Sequence, residues 1–436
     1  MYNDSEIDVC VVGLGYIGLP TAAVIARAGC RVTGVDISEQ VVATINRGEI
    51  HIEEVDLDGL VKGVVSRGTL RASTQIAPAD VFVIAVPTPF EKDGKHTPDT
   101  SAVMAAATEI AAVLKPGDCI ILESTCPVGT THAMRDLLAG LRPDLAMPGL
   151  AEGIADIAIA YCPERVLPGR IIEELVQNDR SIGGITPRCA RKAIFLYKRF
   201  VKGDCIATDA KSAEMTKLVE NAYRDVNIAF ANELSMIAST MDLDVWEVIR
   251  LANRHPRVNI LEPGPGVGGH CIAVDPWFIV HGAPDDAKLI RTGREVNDRK
   301  MHHVTERALR LIEENPNLQV ACLGLSFKAN VDDFRESPAR FVSARLADRF
   351  GERLSIVEPY ARELPREFAG TGAQLVDLDH ALENCGLLIV LVNHDLFKAV
   401  PIEERAGKIV YDVRGIWPEA SSKAAPVAMP PAAKRA

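Results

Sequence analysis

One thiol stands in unusual company in the run GPGVGGHCIAVDP, which spans Gly264 to Pro276. Four glycines and His270 precede Cys271, and Asp275 follows it by one helical turn's spacing. A thiol adds to carbonyl carbon, so a cysteine in an open loop suits a two-stage oxidation. An alcohol is first taken to an aldehyde, and the thiol then adds to give a thiohemiacetal. Loss of a second hydride gives a thioester, which water opens to a carboxylate. Glycine costs backbone entropy and packs nothing. The four glycines are therefore expected to let backbone amides approach a substrate closely. A glycine-flanked cysteine on its own is more often an inert core thiol, so the rest of the chain must decide.

A second constellation lies at the N-terminus. In DVCVVGLGYIGLPTAAVIARAGCRVTGVD, the residues Gly13, Gly15, Tyr16, Ile17 and Gly18 form a Gly-x-Gly-x-x-Gly turn after a buried strand and before a helix from about Pro20. Asp36 closes the next strand. The glycines permit a tight turn and close approach of a pyrophosphate, the helix N-terminus binds its charge, and Asp36 can accept a hydrogen bond from a ribose hydroxyl. An acid there repels a 2′-phosphate, which favours NAD over NADP. Thr88 in AVPTP and Thr125 in ESTCPVGTT close later strands, at the edge where open α/β sheets bind ligands. Turn and cap chemistry accounts equally well for both. Lys217 and Asn221 are one helical turn apart, so an ammonium and an amide can point together at a developing oxyanion. Their spacing alone fits a solvated helix face at least as well.

The elements that must position these groups follow from pattern. The chain has 436 residues, a hydrophobic content of 47% and a net charge of -11. It suits a multidomain soluble protein and argues against nonspecific nucleic-acid binding. Its ten cysteines are scattered, with no CxxC pair, so reduced, buried thiols are expected and no metal site is. Neither a secretory signal nor a membrane span is legible, so a cytoplasmic protein is expected. Buried runs such as DVFVIAVPTP and DCIILESTCPVG alternate with helical segments, predicting an α/β domain over 1–204 with a parallel sheet. Residues 205–305 read as a helical centre, with Met215, Leu218, Val219, Ala222 and Val226 on one stripe of a long helix that suits a dimer interface. The strand pattern returns at QVACLGLSFK, LSIVEP, GLLIVLVNH and KIVYDVRG, predicting a second Rossmann-like domain over 306–418. The Pro-rich tail 419–436 is expected to be disordered. The fold class is thus α/β, two Rossmann-like parallel-sheet domains joined by a central helical domain.

Seven motifs in order, VVGLGYIGLP, AVPTP, ESTCPVGTT, CPERVLPG, KLVENAYRD, GPGVGGHCIAVDP and FKANVDDFRESP, resemble the UDP-glucose/GDP-mannose dehydrogenase family along all but the tail. The resemblance implies an NAD-dependent homodimer acting on a UDP-sugar, with Cys271 as nucleophile and Asp275 managing water and oxyanion chemistry. It gives Lys217 and Asn221 the oxyanion, Glu164 acid/base work, and Thr125 a water and the cofactor. Arg257, Gly268, Lys328 and, more weakly, Arg414 fall to the substrate, and Arg335 to the cofactor. As a bland alternative each arginine is a surface ion pair. The pattern breaks at Pro168, where UDP-glucose members carry a second glutamate, so only Glu164 is carried over. His270 in GGHC resembles the branch acting on N-acetylated sugars. Within it the chain is similar to dehydrogenases of UDP-N-acetyl-D-mannosamine, with those of UDP-N-acetylglucosamine and of UDP-glucose as alternatives. The implied product is a uronic acid for surface polysaccharide. A one-step dehydrogenase without a thiol intermediate and a noncatalytic nucleotide-sugar binder are the readings from other classes.

Overall fold

The computed structural model describes residues 7–150, 153–167, 169–269 and 271–417. His270, Pro168 and the tail expected to be disordered lie outside the described residues. The chain forms two compact units, one of residues up to Glu220 with Trp277–Asp286, the other of Asn221–Pro276 with residues from Ala287 on. The division falls inside the long helix, whereas the sequence pattern places boundaries at 204/205 and 305/306.

In the first unit eight strands form one sheet: β1 (Asp8–Val12), β2 (Arg31–Val35), β3 (Leu70–Ser73), β4 (Val81–Ile84), β5 (Cys119–Leu122), β6 (Ala158–Tyr161), β7 (Arg180–Gly184) and β8 (Cys205–Asp209). Their order is β3-β2-β1-β4-β5-β6-β7-β8. Successive side chains of a strand point to opposite faces. Val9 and Val11 accordingly enter one core while Cys10 and Val12 enter another. With both faces covered the strands can be apolar throughout, which is why β4, β5 and β6 are wholly buried. The sheet is not parallel throughout as expected. β7 runs antiparallel to β6, pairing Ala160 with Gly184 and Tyr161 with Gly183. The connection carries only the short helix Ile171–Gln177, so the chain turns back at the edge where β6 ends.

The second unit holds a five-stranded parallel sheet built from β9 (Val320–Leu323), β10 (Leu354–Val357), β11 (Gln374–Leu375), β12 (Leu387–Val390) and β13 (Ile409–Asp412), in the order β11-β10-β9-β12-β13. Both sheets place their first strand between the second and fourth, the order of a dinucleotide-binding fold.

The long helix runs from Ala210 to Thr240. Leu218 and Ala222 are buried as the stripe predicts, but Met215 and Val219 are exposed and Val226 is half-buried. The buried side instead includes Glu214, Asp225, Asn232 and Ser235. Apolar periodicity counts apolar residues only, and here polar groups with specific partners occupy the inward face.

At the first glycine turn the helix begins at Gly18 rather than Pro20. A Cβ on Gly18 would lie 1.8 Å from the carbonyl oxygen of Gly13, and Gly13 itself has φ +91°. Gly18→Ala forces the turn apart, and a melting temperature lowered by roughly 5 °C is expected from overpacking of a few kcal/mol. A thermal scan showing no change would contradict this reading of the turn.

Candidate active site

The glycine turn of the first unit has the form of a pyrophosphate cradle. Gly13 N–H donates to Val35 O at 2.8 Å, and the Asp36 carboxylate accepts from Leu14 N–H at 3.0 Å and Ser38 N–H at 2.9 Å. Asp36 thereby ties the second strand to the turn. Gly15 meets nothing within 4 Å of where a Cβ would stand, and it is exposed together with Tyr16, with Ile17 half-buried behind them. An open glycine at a helix N-terminus beside an acid at the end of the next strand fits a dinucleotide.

The neighbouring strand ends converge as expected. The Thr88 hydroxyl donates to the carbonyl oxygen of Thr125, joining AVPTP to ESTCPVGTT. Sequence reasoning missed what holds the second of these loops. Buried Glu214, at the start of the long helix, accepts from Gly129 N–H at 2.6 Å, Thr131 N–H at 2.8 Å and the Thr131 hydroxyl at 2.6 Å. Burial raises its pKa, and these three donors oppose that shift. Glu164 is not in an open position: it is 8% exposed, and Arg180 Nη2 donates to its Oε2 at 2.9 Å.

In the second unit Cys271, Asn221 and Asp275 come together. The Cys271 carbonyl accepts from Val274 N–H at 3.1 Å and Asp275 N–H at 2.9 Å, a turn that opens the helix Asp275–Gly282. Asp275 is buried, and Asn221 Nδ2 donates to its Oδ2 at 2.6 Å. Lys217, half-buried, is one helical turn before Asn221. Among the ten cysteines eight are buried, Cys205 is intermediate and Cys271 is exposed. Burial pushes Cys119, Cys162 and Cys322 up to about 12 and Cys10 to about 11, which keeps them as protonated thiols at neutral pH.

The glycines before Cys271 serve a different end from the one expected. Their missing side chains make room for protein. A Cβ on Gly264 would lie 2.3 Å from Arg414 Nη1, and one on Gly268 would lie 2.2 Å from Glu336 O. Gly266 and Gly269 meet Met301 and Phe327 in the same way. The loop is thus packed onto FKANVDDFRESP and onto the DVRG turn. A chain of buried amides fixes where it starts. Gly264 N–H donates to Asn232 Oδ1 at 2.9 Å, Asn232 Nδ2 to Asn297 Oδ1 at 2.8 Å, and Asn297 Nδ2 to Asp225 Oδ1 at 2.8 Å. Arg294 pairs with the same Asp225 oxygen at 2.7 Å. The available signal was polar residues recurring at helical spacing on the buried side of the long helix.

The remaining expected contacts are dispersed. Arg257 and Lys328 are exposed. Arg335 is also exposed and makes a two-pronged pair with Asp333, at 2.9 and 2.6 Å, which is the bland alternative realised. Such a pair at the surface is weak and readily exchanged for a ligand phosphate. Arg414 is half-buried, and burial lowers its pKa against the pull of Glu262 and Asp412.

Three consecutive stretches match known family descriptions: the NAD binding domain over 7–201, the central domain over 211–299 and the UDP binding domain over 321–419 of UDP-glucose/GDP-mannose dehydrogenases. The chain belongs to the UDP-glucose/GDP-mannose dehydrogenase family. It is 54% identical over 410 residues to an NDP-N-acetyl-D-galactosaminuronic acid dehydrogenase of Ralstonia nicotianae, covering 94% of this chain and 96% of that protein. It is 53% identical over 417 residues to a UDP-N-acetyl-D-mannosamine dehydrogenase of Salmonella typhi, covering 94% and 99%. A solved UDP-N-acetyl-D-mannosamine dehydrogenase from Pyrococcus horikoshii has the same fold at a TM-score of 0.83, with 38% identity and coverage of 94% of this chain and 96% of that one. The protein is an NAD-dependent oxidoreductase of this family.

The family's second nucleotide fold repeats the first turn's hydrogen bonds. Gly324 N–H donates to Val357 O at 2.8 Å, and Glu358 accepts from Leu325 N–H at 2.6 Å and Tyr360 N–H at 3.1 Å. These match Gly13, Leu14 and Ser38 around Asp36. Glu358, unlike Asp36, is sealed in: buried His394 lies with Nε2 3.3 Å from its Oε2. The two halves share no close repeat along their length, yet GLSF here stands where GLGY stands in the first.

Removing the amide link tests what positions the cysteine loop. Asn232→Ala leaves Gly264 N–H and Asn297 unsatisfied, at a cost of about 1–3 kcal/mol. A lowered melting temperature on thermal unfolding is the expected outcome. Unchanged stability on thermal unfolding would refute the link.

Proposed function

We propose that this enzyme oxidises C-6 of UDP-N-acetyl-D-mannosamine to the uronic acid through a covalent thioester on Cys271. The observation that carries the reading is the single exposed cysteine held one turn before a buried Asp275 and its partner Asn221. NAD, when bound at the glycine turn, supplies the hydride acceptor for both oxidations. The chain's own residues do the rest. Cys271 Sγ adds to the aldehyde carbon, and Lys217 and Asn221 offer donors to the oxygen that becomes negative. Asp275, already accepting from Asn221, is placed to orient the water that opens the thioester. Thr125 and Glu164 belong to the first unit, where we assign them to the cofactor and to proton handling. Arg257, Lys328 and Arg414 are assigned to the substrate's phosphates and Arg335 to the cofactor, with Gly268 and His270 beside the sugar.

The sugar rests on likeness: proteins named for UDP-N-acetyl-D-mannosamine stand among the relatives at 53% identity and among the solved structures at 38%. A second reading has its own support, because the Ralstonia relative at 54% identity is named for an N-acetyl-D-galactosaminuronic acid. We further propose a cytoplasmic homodimer. Tyr223, Phe230 and Ile237 are exposed at spacings that put them on one side of the long helix, with exposed Met241 just past its end, an apolar stripe suited to a second copy.

NADH formed per mole of sugar consumed is the direct test, with the N-acetyl-manno, N-acetyl-gluco, N-acetyl-galacto and plain gluco UDP-sugars compared side by side. Two NADH with the manno sugar are expected, and two chiefly with another sugar would change the substrate but keep the chemistry. One NADH per product, or uronate made by Cys271→Ala at an undiminished rate, would remove the thioester. Phe230→Asp is expected to halve the mass measured by light scattering. A wild-type protein already monomeric at micromolar concentration would overturn the dimer.

A further inference from the structure

Glu164 owes its place to a strand that runs the wrong way. β7 is antiparallel to β6 in register Tyr161 with Gly183. Carrying that register outward sets Arg180 opposite Glu164, beyond the carboxyl end of β6. In a parallel strand the first residue would have sat at the far edge of the sheet. Arg180 is 3% exposed. Its Nη2 donates to Glu164 Oε2 at 2.9 Å and to Leu175 O at 3.3 Å, and its Nη1 reaches Cys162 Sγ at 3.8 Å. The guanidinium lies 5.0 Å from the centre of the Tyr197 ring and 5.9 Å from that of Phe200. Glu164 Oε1 accepts from Arg165 N–H at 2.7 Å. Both carboxylate oxygens are therefore engaged by donors, which fixes the carboxyl in one orientation.

A second buried carboxyl reaches Tyr197, on whose ring the guanidinium packs. Glu123 follows β5, is 3% exposed, and accepts from the Tyr197 hydroxyl at 2.5 Å. Its Oε2 and Arg180 Nε are buried without hydrogen-bond partners among the described residues. Glu123 and Arg180 thus share Tyr197 as a neighbour, the first through its hydroxyl and the second over its ring, and the Arg180 charge acts on Glu123. The other groups around them are the Cys162 thiol, the Tyr197 phenol and the Thr21 hydroxyl. Burial raises both the thiol and the phenol, so neither supplies a charge near neutral pH.

We propose that Arg180 is a positioning residue that fixes the Glu164 carboxyl in one orientation, and that Glu123 competes for Arg180 only when it loses its proton. The inference rests on the assignment of Glu164 to proton handling above. Burial pushes Glu123 up to about 7, the Arg180 charge opposes this, and the Glu164 charge adds to it. Below that pH Glu123 is neutral and Arg180 serves Glu164 alone. Above it a second anion draws on the guanidinium and the hold on Glu164 weakens.

A double-mutant cycle tests the coupling. Glu164→Gln is expected to lower kcat by roughly 10²-fold, a typical loss for a proton-handling group. Arg180→Gln should lower it comparably while NAD affinity stays unchanged, and adding Arg180→Gln to Glu164→Gln should cost no more than about another 2–3-fold. Arg180→Lys, which keeps the charge and loses the fork, should recover part of the rate. Two full losses that multiply would overturn the coupling. A Glu164→Gln enzyme turning over at the wild-type rate would instead remove the role of Glu164 on which the inference rests. Glu123→Gln provides an arm that keeps the buried volume. It should erase a step in kcat near pH 7 that the wild type shows, and a step left unaltered by Glu123→Gln would refute the competition.

Discussion

Hydrogen bonds from the backbone amides of two loops to buried polar side chains of one helix are the constraint on which the site depends. Within the first unit Glu214 gathers the amides of Gly129 and Thr131 and so fixes the loop that carries Thr125. Within the second, Asn232 holds Gly264 N–H, backed by Asn297, Asp225 and Arg294. Burying a carboxylate or an amide without a partner costs several kcal/mol. Each of these groups is therefore stable inside only when its loop is in place, and loop and helix specify each other. The inward face of the long helix gives up some apolar burial for that specificity.

The same economy explains the glycines. At Gly18 and at Gly268 the position of a missing Cβ lies within van der Waals overlap of a backbone oxygen. The first closeness shapes a turn whose open position, Gly15, is left to the ligand. The second brings the cysteine loop hard against the Glu336 backbone, so that Cys271 can be exposed while the loop beneath it is packed. An exposed thiol on a firmly seated loop suits the proposed nucleophile, which must be held in one geometry.

The two nucleotide folds show how one backbone device takes two chemical roles. Asp36 and Glu358 each tie a strand end to the preceding glycine turn. Asp36 is half-buried, whereas Glu358 is 4% exposed with His394 against it. Nδ1 of His394 accepts from Asn330 N–H at 3.0 Å, which puts the ring proton on Nε2, towards Glu358 and the Ser326 hydroxyl. Ser326 stands where Gly15 stands in the first fold. The second turn is consequently filled by its own side chains.

The sequence by itself determined the strands, the glycine turn with its acid and the long helix, and it singled out Cys271, the cysteine that the fold leaves exposed. Those features are local: strand burial, turn chemistry and motif spacing are written over a few to thirty residues. Seven motifs in order also carried the family. What only the tertiary structure decided involves residues far apart in sequence. The reversal of β7 sets Arg180 against Glu164, although a buried run of residues does not state its direction. Arg335 sits on Asp333 rather than standing open, and Met215 and Val219 face outward because Glu214 and Asp225 have partners inward. The glycines before Cys271 looked like room for a substrate and are room for Arg414, Met301, Glu336 and Phe327. Spacing along a chain records which backbone positions need freedom, and only packing records what occupies the space they leave.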